Sequence, residues 1–382
     1  MYLDHAATTP LDPEVLACMM PYVTNVQGNP SSVHAAGRRA RAAIERAREQ
    51  VASLVGAHPA EVVFTSGGTE ADSFALHIAA AFATGQRATW VSSTAEHHAI
   101  LVPMMRRMKR GGAVQLLDVD ATARVPEEAV ISALDEHVAL LSLMHVNNET
   151  GVVCDIAAMA AHAHQVGALF HTDAVQSAGK LPLDVHAMAL DLVSISAHKL
   201  QGPKGTGALI VRRGIDVDPL LPGGAQERGR RGGTENVAAI VGFGAAAQRA
   251  LEQRETRVSQ WLRQRGDFLS MLRRTHPSIV VNGEGASLQP GILSVSFPFA
   301  AFGIDGEALL LRMDLEGVAI SSGSACTAGS VEASHVMQAI GHDEATARAT
   351  VRISLGAQTT DAEVRDASEI LVRIVEEMRR RP

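Results

Sequence analysis

The sequence predicts an α/β fold, with a mostly parallel sheet of about seven strands and a smaller α+β unit after it. Between about residues 60 and 215, short β-branched or apolar runs alternate with longer helical patterns, as strand–helix units around a parallel sheet require. After residue 245 the pattern changes to a charged helical run, Glu252 to Arg273, and to isolated strands such as Ile292 to Phe297 and Val351 to Leu355. A chain of 382 residues, 46% hydrophobic and 20% charged, is long enough for about two or three domains and far from a disordered composition.

In chain order, strands are expected at Glu61 to Thr65, Thr89 to Ser92, Val114 to Leu117, Val138 to Met144, Leu169 to His171, Leu192 to Ile195 and Ala208 to Val211. Helices at Ala71 to Ala83 and Asp155 to Val166 fall between some of them. The tight Gly202-Pro203-Lys204-Gly205 turn lets the last strand pair antiparallel. No fixed-period repeat appears, and the terminal Arg379, Arg380 and Arg381 read as the cationic end of a helix.

A net charge of −7 offers no general attraction for a polyanion, so nonspecific nucleic-acid binding is not expected. The opening MYLDHAATTPLDPEV has no basic stretch leading into an apolar run, so neither a signal nor a transit peptide is expected. No apolar run reaches the roughly 20 residues of a membrane span. Cys18, Cys154 and Cys326 lie far apart without a C-x-x-C pair, which argues against a disulfide framework or a thiolate zinc site and fits a reducing cytoplasm. His162 and His164, at i and i+2, point to different sides of a helix, and no intrinsic metal is expected.

Four segments carry candidate chemistry. Ser66-Gly67-Gly68-Thr69-Glu70 leaves a strand and opens a helix, which suits phosphate as well as an ordinary capped helix start. Asp173, after His171-Thr172, stands at a strand's carboxyl end, where its carboxylate could hold a protonated ring nitrogen or cap the next helix. Ser196, His198 and Lys199 come together before a glycine turn, and a lysine kept neutral there can form a Schiff base. Ser321-Ser322-Gly323-Ser324-Ala325-Cys326-Thr327-Ala328-Gly329 suits an exposed, mobile loop carrying an ionisable thiol. Cys18, among Leu16, Ala17, Met19 and Met20, and Cys154, beside Val152-Val153, are instead expected to be small buried hydrophobes.

With Tyr2 to Pro10, Gly28 to Ser32, Glu96-His97, His145 to Gly151 and Arg352 to Gly356, these segments make nearly the whole chain resemble the cysteine desulfurases of the nitrogen-fixation and iron–sulfur-assembly type. That family belongs to the class V aminotransferases among the fold-type-I pyridoxal-phosphate enzymes. The resemblance implies that Lys199 carries pyridoxal 5'-phosphate and later moves the proton at the substrate's α-carbon. Asp173 would pair with the ring nitrogen. Gln176 and Asn148 would bond the phenolic oxygen or nearby substrate groups. Gly68, Thr69, Ser196 and His198 would hold the phosphate, and Thr234 would reach it from the neighbouring subunit of a homodimer.

By the same resemblance His97 would lie over the ring as acid and base for thiol protons. Arg352 would fork onto the substrate carboxylate. Cys326 would accept sulfur from L-cysteine as a persulfide, for transfer to a protein acceptor in cluster assembly or thiolation. A large unit of residues 13–250 would bind the cofactor, and a small unit of 1–12 plus 251–382 would carry the cysteine loop. Transamination, selenocysteine cleavage and a non-catalytic binding role on the same scaffold are the rival readings. A nucleotide-binding oxidoreductase lacks its G-x-G-x-x-G after the first strand. The ending Glu376 to Pro382 lacks the longer tail that some relatives use to engage a scaffold, which leaves the acceptor open.

Overall fold

The computed structural model describes residues 1–83, 85–322 and 333–379, so Cys326, Arg380 and Arg381 lie outside the described residues. Seven strands, β1 (Val62–Thr65), β2 (Thr89–Ser93), β3 (Val114–Leu117), β4 (Val138–Ser142), β5 (Leu169–Asp173), β6 (Leu192–Ser196) and β7 (Gly207–Val211), form one sheet in the order β1-β7-β6-β5-β4-β2-β3. The pairs from β3 through β2, β4 and β5 to β6 are parallel. β7 runs antiparallel to both β6 and β1, because residues 197–206 are too few for a helical crossover.

Strands β4, β5, β6 and β7 are buried at every position, which is why they read as continuous apolar runs. The two-residue period still sorts their faces. Val62, Phe64, Leu141, Val193 and Ile210 enter one core with the helices Ala35–Leu54 and Ile156–Gln165, whereas Val63, Leu140, Leu192 and Leu209 enter another with Gly68–Phe82. Fully burying each such side chain contributes about 1.5–3 kcal/mol.

A second sheet, β8 (Val280–Val281), β9 (Ile292–Ser296) and β10 (Thr350–Ser354), is antiparallel in the order β10-β9-β8. The 39-residue helix Val237–Thr275 serves both sheets. Its residues from Ile240 to Ala250 pack into the first core, and Trp261, Phe268 and Leu272 pack under the second sheet. The chain begins beside the second sheet, with Leu3 in its core and Asp4 bridging to Ser354.

The helix Pro13–Thr24 corrects one expectation. It buries Val15 and packs Met19 against the core one turn on, so Cys18 lies off that face and is exposed, as are Leu16 and Met20. Cys154 is half-buried, and burial pushes its thiol up to about 12. His162 and His164 bind different partners, Glu127 and Asp191, each at 2.7 Å. Among the described residues no helix is long and apolar enough to cross a membrane.

Candidate active site

The register of the sheet builds the site. Since β7 is antiparallel to its two neighbours, Gly207 pairs with both Thr65 and Ser196, and the ends of β1 and β6 meet at one edge. A Cβ on Gly207 would come 2.7 Å from the Ile195 carbonyl oxygen and 2.8 Å from the Gly67 carbonyl carbon, so the close backbone approach requires glycine. At the same edge β5 ends on Asp173, and the chain beyond β2 supplies His97. A cavity of about 400 Å³ opens there, and Gly68, Thr69, His97, Asn148, Asp173, Gln176, Ser196, His198, Lys199 and Arg352 all line it.

Local structure fixes most of these side chains. Asp173 Oδ1 accepts from the Val175 N–H at 2.9 Å, so this carboxylate caps the turn and still faces the cavity. His97 caps the helix His98–Lys109, its Nδ1 accepting from Ala99 N–H at 3.1 Å. Lys199, in the short turn after β6, donates to the carbonyls of Ala6 and, at 2.7 Å, Ala7. Gln176 donates through Nε2 to the Ala6 carbonyl at 2.8 Å and is buried rather than solvated. Asn147 spends its side-chain oxygen on the Glu149 and Thr150 N–H groups, both at 2.9 Å; its neighbour Asn148 lines the cavity. Arg352 is 2% exposed, with Nη2 on Asp4 at 2.8 Å and Nη1 on the Asn148 carbonyl at 2.7 Å.

Burial dominates the electrostatics. It raises the Asp173 carboxyl above its usual range, while His97, the Val175 N–H and Lys199 pull it back. Asp72, one helical turn beyond Gly68, is raised still further by burial and then by Asp173. Burial lowers His97, against the pull of Asp173. With both carboxyls still raised despite the pull of His97 and Lys199 on Asp173, a further positive group at Asp173 would be favoured. Asp72, His97 and Asp173 each bring one ligand atom within 4.8 Å of the others, and a protonated ring nitrogen answers the same charge.

Glu96, just before His97, is 1% exposed; its Oε1 accepts from Met144 N–H at 2.7 Å and its Oε2 has no partner among the described residues. Burial first, and Asp173 after it, raise the Glu96 carboxyl well above its ordinary value, whereas the Met144 N–H lowers it. A carboxyl raised on folding binds more protons folded than unfolded, so its stability contribution is full below the unfolded value and is lost as pH rises through the folded one. Glu96→Gln is therefore expected to match the parent's melting temperature near pH 4.5 and to exceed it increasingly toward pH 8. Thermal melts across that range check the sign.

Beside the main cavity, a hollow of about 340 Å³ is lined by Thr8, Ser66, Gly68, Thr69, Ser196, His198 and Lys204. It sits at the N-terminus of the helix Gly68–Phe82, where free N–H groups favour an anion. Ser196 Oγ is buried with no hydrogen-bond partner among the described residues, a donor left waiting. Burial, then the Lys199, Lys180 and Lys204 charges, lowers His198 to about 4. A raised Asp173, a Ser196 hydroxyl in an anion hollow, and Lys199 on the same cavity wall fit the ring nitrogen, phosphate and carbonyl carbon of pyridoxal 5'-phosphate.

Thr234, expected at the neighbouring subunit's phosphate, is exposed and does not line this cavity, and Cys326 lies outside the described residues. Asp72, His98, Glu149 and His335 line the cavity without having been anticipated. Asp72 was legible as the i+4 neighbour of Gly68 on one helix face. His335 was not, because only the tertiary fold brings its ring 4.8 Å from that of His98.

The family model for aminotransferase class V matches residues 1–366. The cysteine desulfurase IscS of Dictyoglomus turgidum is 40% identical over 380 residues, which cover 99% of this chain and 95% of that protein. Among solved structures, a NifS-like protein superposes with a TM-score of 0.91 at 33% identity, covering 99% of each chain. A structure of SspA in complex with cysteine superposes with a TM-score of 0.81 at 35% identity, covering 93% of this chain and 98% of that one. This chain belongs to the class V aminotransferase family and, within it, to the cysteine desulfurases.

Proposed function

We propose that the protein is a pyridoxal-phosphate enzyme that removes sulfur from L-cysteine, releases L-alanine and leaves a persulfide on Cys326. The convergence of Lys199, Asp173 and His97 on one cavity carries this reading. The chain flanking Cys326 supports it further. Ser321 pairs with Arg352 on the cavity wall. Ser334 donates to Glu149, and His335 lines the cavity.

When bound, pyridoxal 5'-phosphate supplies a protonated ring able to accept the electron pair left as the substrate's α-hydrogen departs as a proton. Asp173 would hold the ring nitrogen's proton, and Gly68, Thr69, Ser196 and His198 would hold the phosphate. Lys199 takes the α-proton and returns a proton to carbon. His97, kept neutral by burial, takes up and returns thiol protons. Arg352, already pinned by Asp4, presents its guanidinium to the substrate carboxylate with Asn148 beside it. The Cys326 thiolate attacks the substrate sulfur. An S–S bond forms, the C–S bond breaks with its electron pair on carbon, and protonation of that carbon yields alanine.

The assembly in this reading is a homodimer, in which the exposed Thr234 reaches the neighbouring subunit's phosphate. The units 13–250 and 1–12 plus 251–382 divide the labour, cofactor to the first and cysteine segment to the second. The sulfur passes in the cytoplasm to a protein acceptor. A direct assay tests the reaction: L-cysteine is expected to give alanine and, with a reductant, sulfide in equal amounts. Keto-acid formation without sulfide would instead mark a transaminase.

A further inference from the structure

Lys180 is a second interior lysine for which the reaction above has no use. It is 9% exposed, and among the described residues no carboxylate forms an ion pair with it. Its Nζ donates to Gln176 Oε1 at 3.1 Å. The other end of the same amide donates to the Ala6 carbonyl, the oxygen to which Lys199 also donates. Two amines thus stand at opposite ends of one short relay, Lys180, Gln176, Ala6 and Lys199.

We propose that Lys180 is a positioning residue for Lys199: it fixes the Gln176 amide, and the two amines compete for protons, so that a proton on Lys180 weakens the hold on one at Lys199. This rests on the reading of Lys199 as the cofactor's carrier. An unpaired ammonium is costly to bury, so a lysine is retained here at the expense of stability unless its charge is used. Two nearby amines cannot both hold a proton cheaply, and a neighbouring cation is one of the means by which a lysine becomes a nucleophile. Burial first, then Lys199 and Arg352, brings Lys180 down to about 7.

The surrounding charges bear on the same balance. His5 from the N-terminal segment, His198 from the turn after β6, Arg257 from the long helix and Arg352 from β10 face this region. They are cationic or neutral, and the acids that act on them are Asp4, on Arg352 at 2.8 Å and on His5, Glu363 on His5 and Asp12 on Arg257. Asp173 is the acid that meets Lys199. It favours a charged Lys199, and the Lys180 ammonium opposes it.

The test is a spectroscopic pH titration of the holoenzyme chromophore in the parent, Lys180→Met, Lys180→Gln and Lys180→Arg. In Met and Gln the midpoint is expected to rise by about one pH unit, a tenfold change in proton affinity. Arg, charged throughout the titration, should hold it at or below the parent's value. An unchanged midpoint in folded Met and Gln variants overturns the proposal. Should neither fold, the pH dependence of Lys199 labelling by an amine-selective reagent in the parent apoprotein decides: an ordinary midpoint near about 10.4 overturns it, and one at least a unit lower supports it. Borohydride reduction and peptide mapping of the parent separately show whether Lys199 carries the cofactor, so failure of that reading is told apart from failure of this one.

Discussion

Lys199→Ala is expected to lower the turnover of L-cysteine by on the order of 10³-fold or more, because a positioned proton-transfer group alone is worth about 10²–10⁴. The side chain does two things in the proposed reaction: its amine carries the cofactor, and afterwards it moves the α-proton. Both end with the amine. The remaining holding groups, Asp173, Ser196, His198 and the helix N-terminus at Gly68, are untouched, so the variant should still take up the cofactor. It should bind it without a covalent link, and borohydride should no longer fix colour to the chain. The Ala6 and Ala7 carbonyls lose their lysine donor, but they border the open cavity, so water can replace it at little cost in stability. A variant with near-normal sulfide release would remove Lys199 from the chemistry.

Cys326→Ser is expected to lower sulfide release by roughly 10³-fold or more, in the range that accompanies loss of a catalytic nucleophile. A serine hydroxyl is a weak nucleophile toward sulfur, whereas a thiolate is a strong one. The other two cysteines make natural controls. Cys154 has its thiol pushed up to about 12 by burial and is not ionised at neutral pH. Cys18 is exposed on the helix Pro13–Thr24 and does not line the cavity. Cys18→Ser and Cys154→Ser should therefore leave activity within about twofold, since neither thiol touches the site. Since Lys199 and Asp173 stay in place, Cys326→Ser should still change colour on mixing with L-cysteine. A loss of sulfide without a loss of cysteine binding is the expected pattern.

Much of this architecture was legible in the sequence. The seven strands of the main sheet appear where their β-branched or apolar runs stand, shifted by a residue or two; β4 to β7, buried on both faces, write themselves as nearly continuous apolar segments, whereas the edge strand β3 is mostly half-buried or exposed. β8 was missed, since two residues make no period. The exposure of Cys18 was missed for a related reason: an apolar neighbourhood in sequence says nothing of which helix face turns inward, and here Val15 and Met19 do.

The candidate site divides in the same way. Asp173, Lys199 and Gly68 stand at strand ends, where chain order already signals function in an α/β sheet. Lys180 carried no such signal. Its role depends on Gln176 and the Ala6 carbonyl meeting across 170 residues of chain, a contact of the tertiary fold. Asp4 is likewise a remote partner, 348 residues from the Arg352 it holds.

Intact-mass and peptide mass spectrometry of the holoenzyme, mixed with L-cysteine and quenched before any reductant is added, asks where the sulfur goes. The expected result is one additional sulfur atom per chain, on the peptide containing Cys326, with alanine formed in equal amount. Sulfur found on Cys18 or Cys154, or alanine formed while Cys326 stays a plain thiol, would contradict the account.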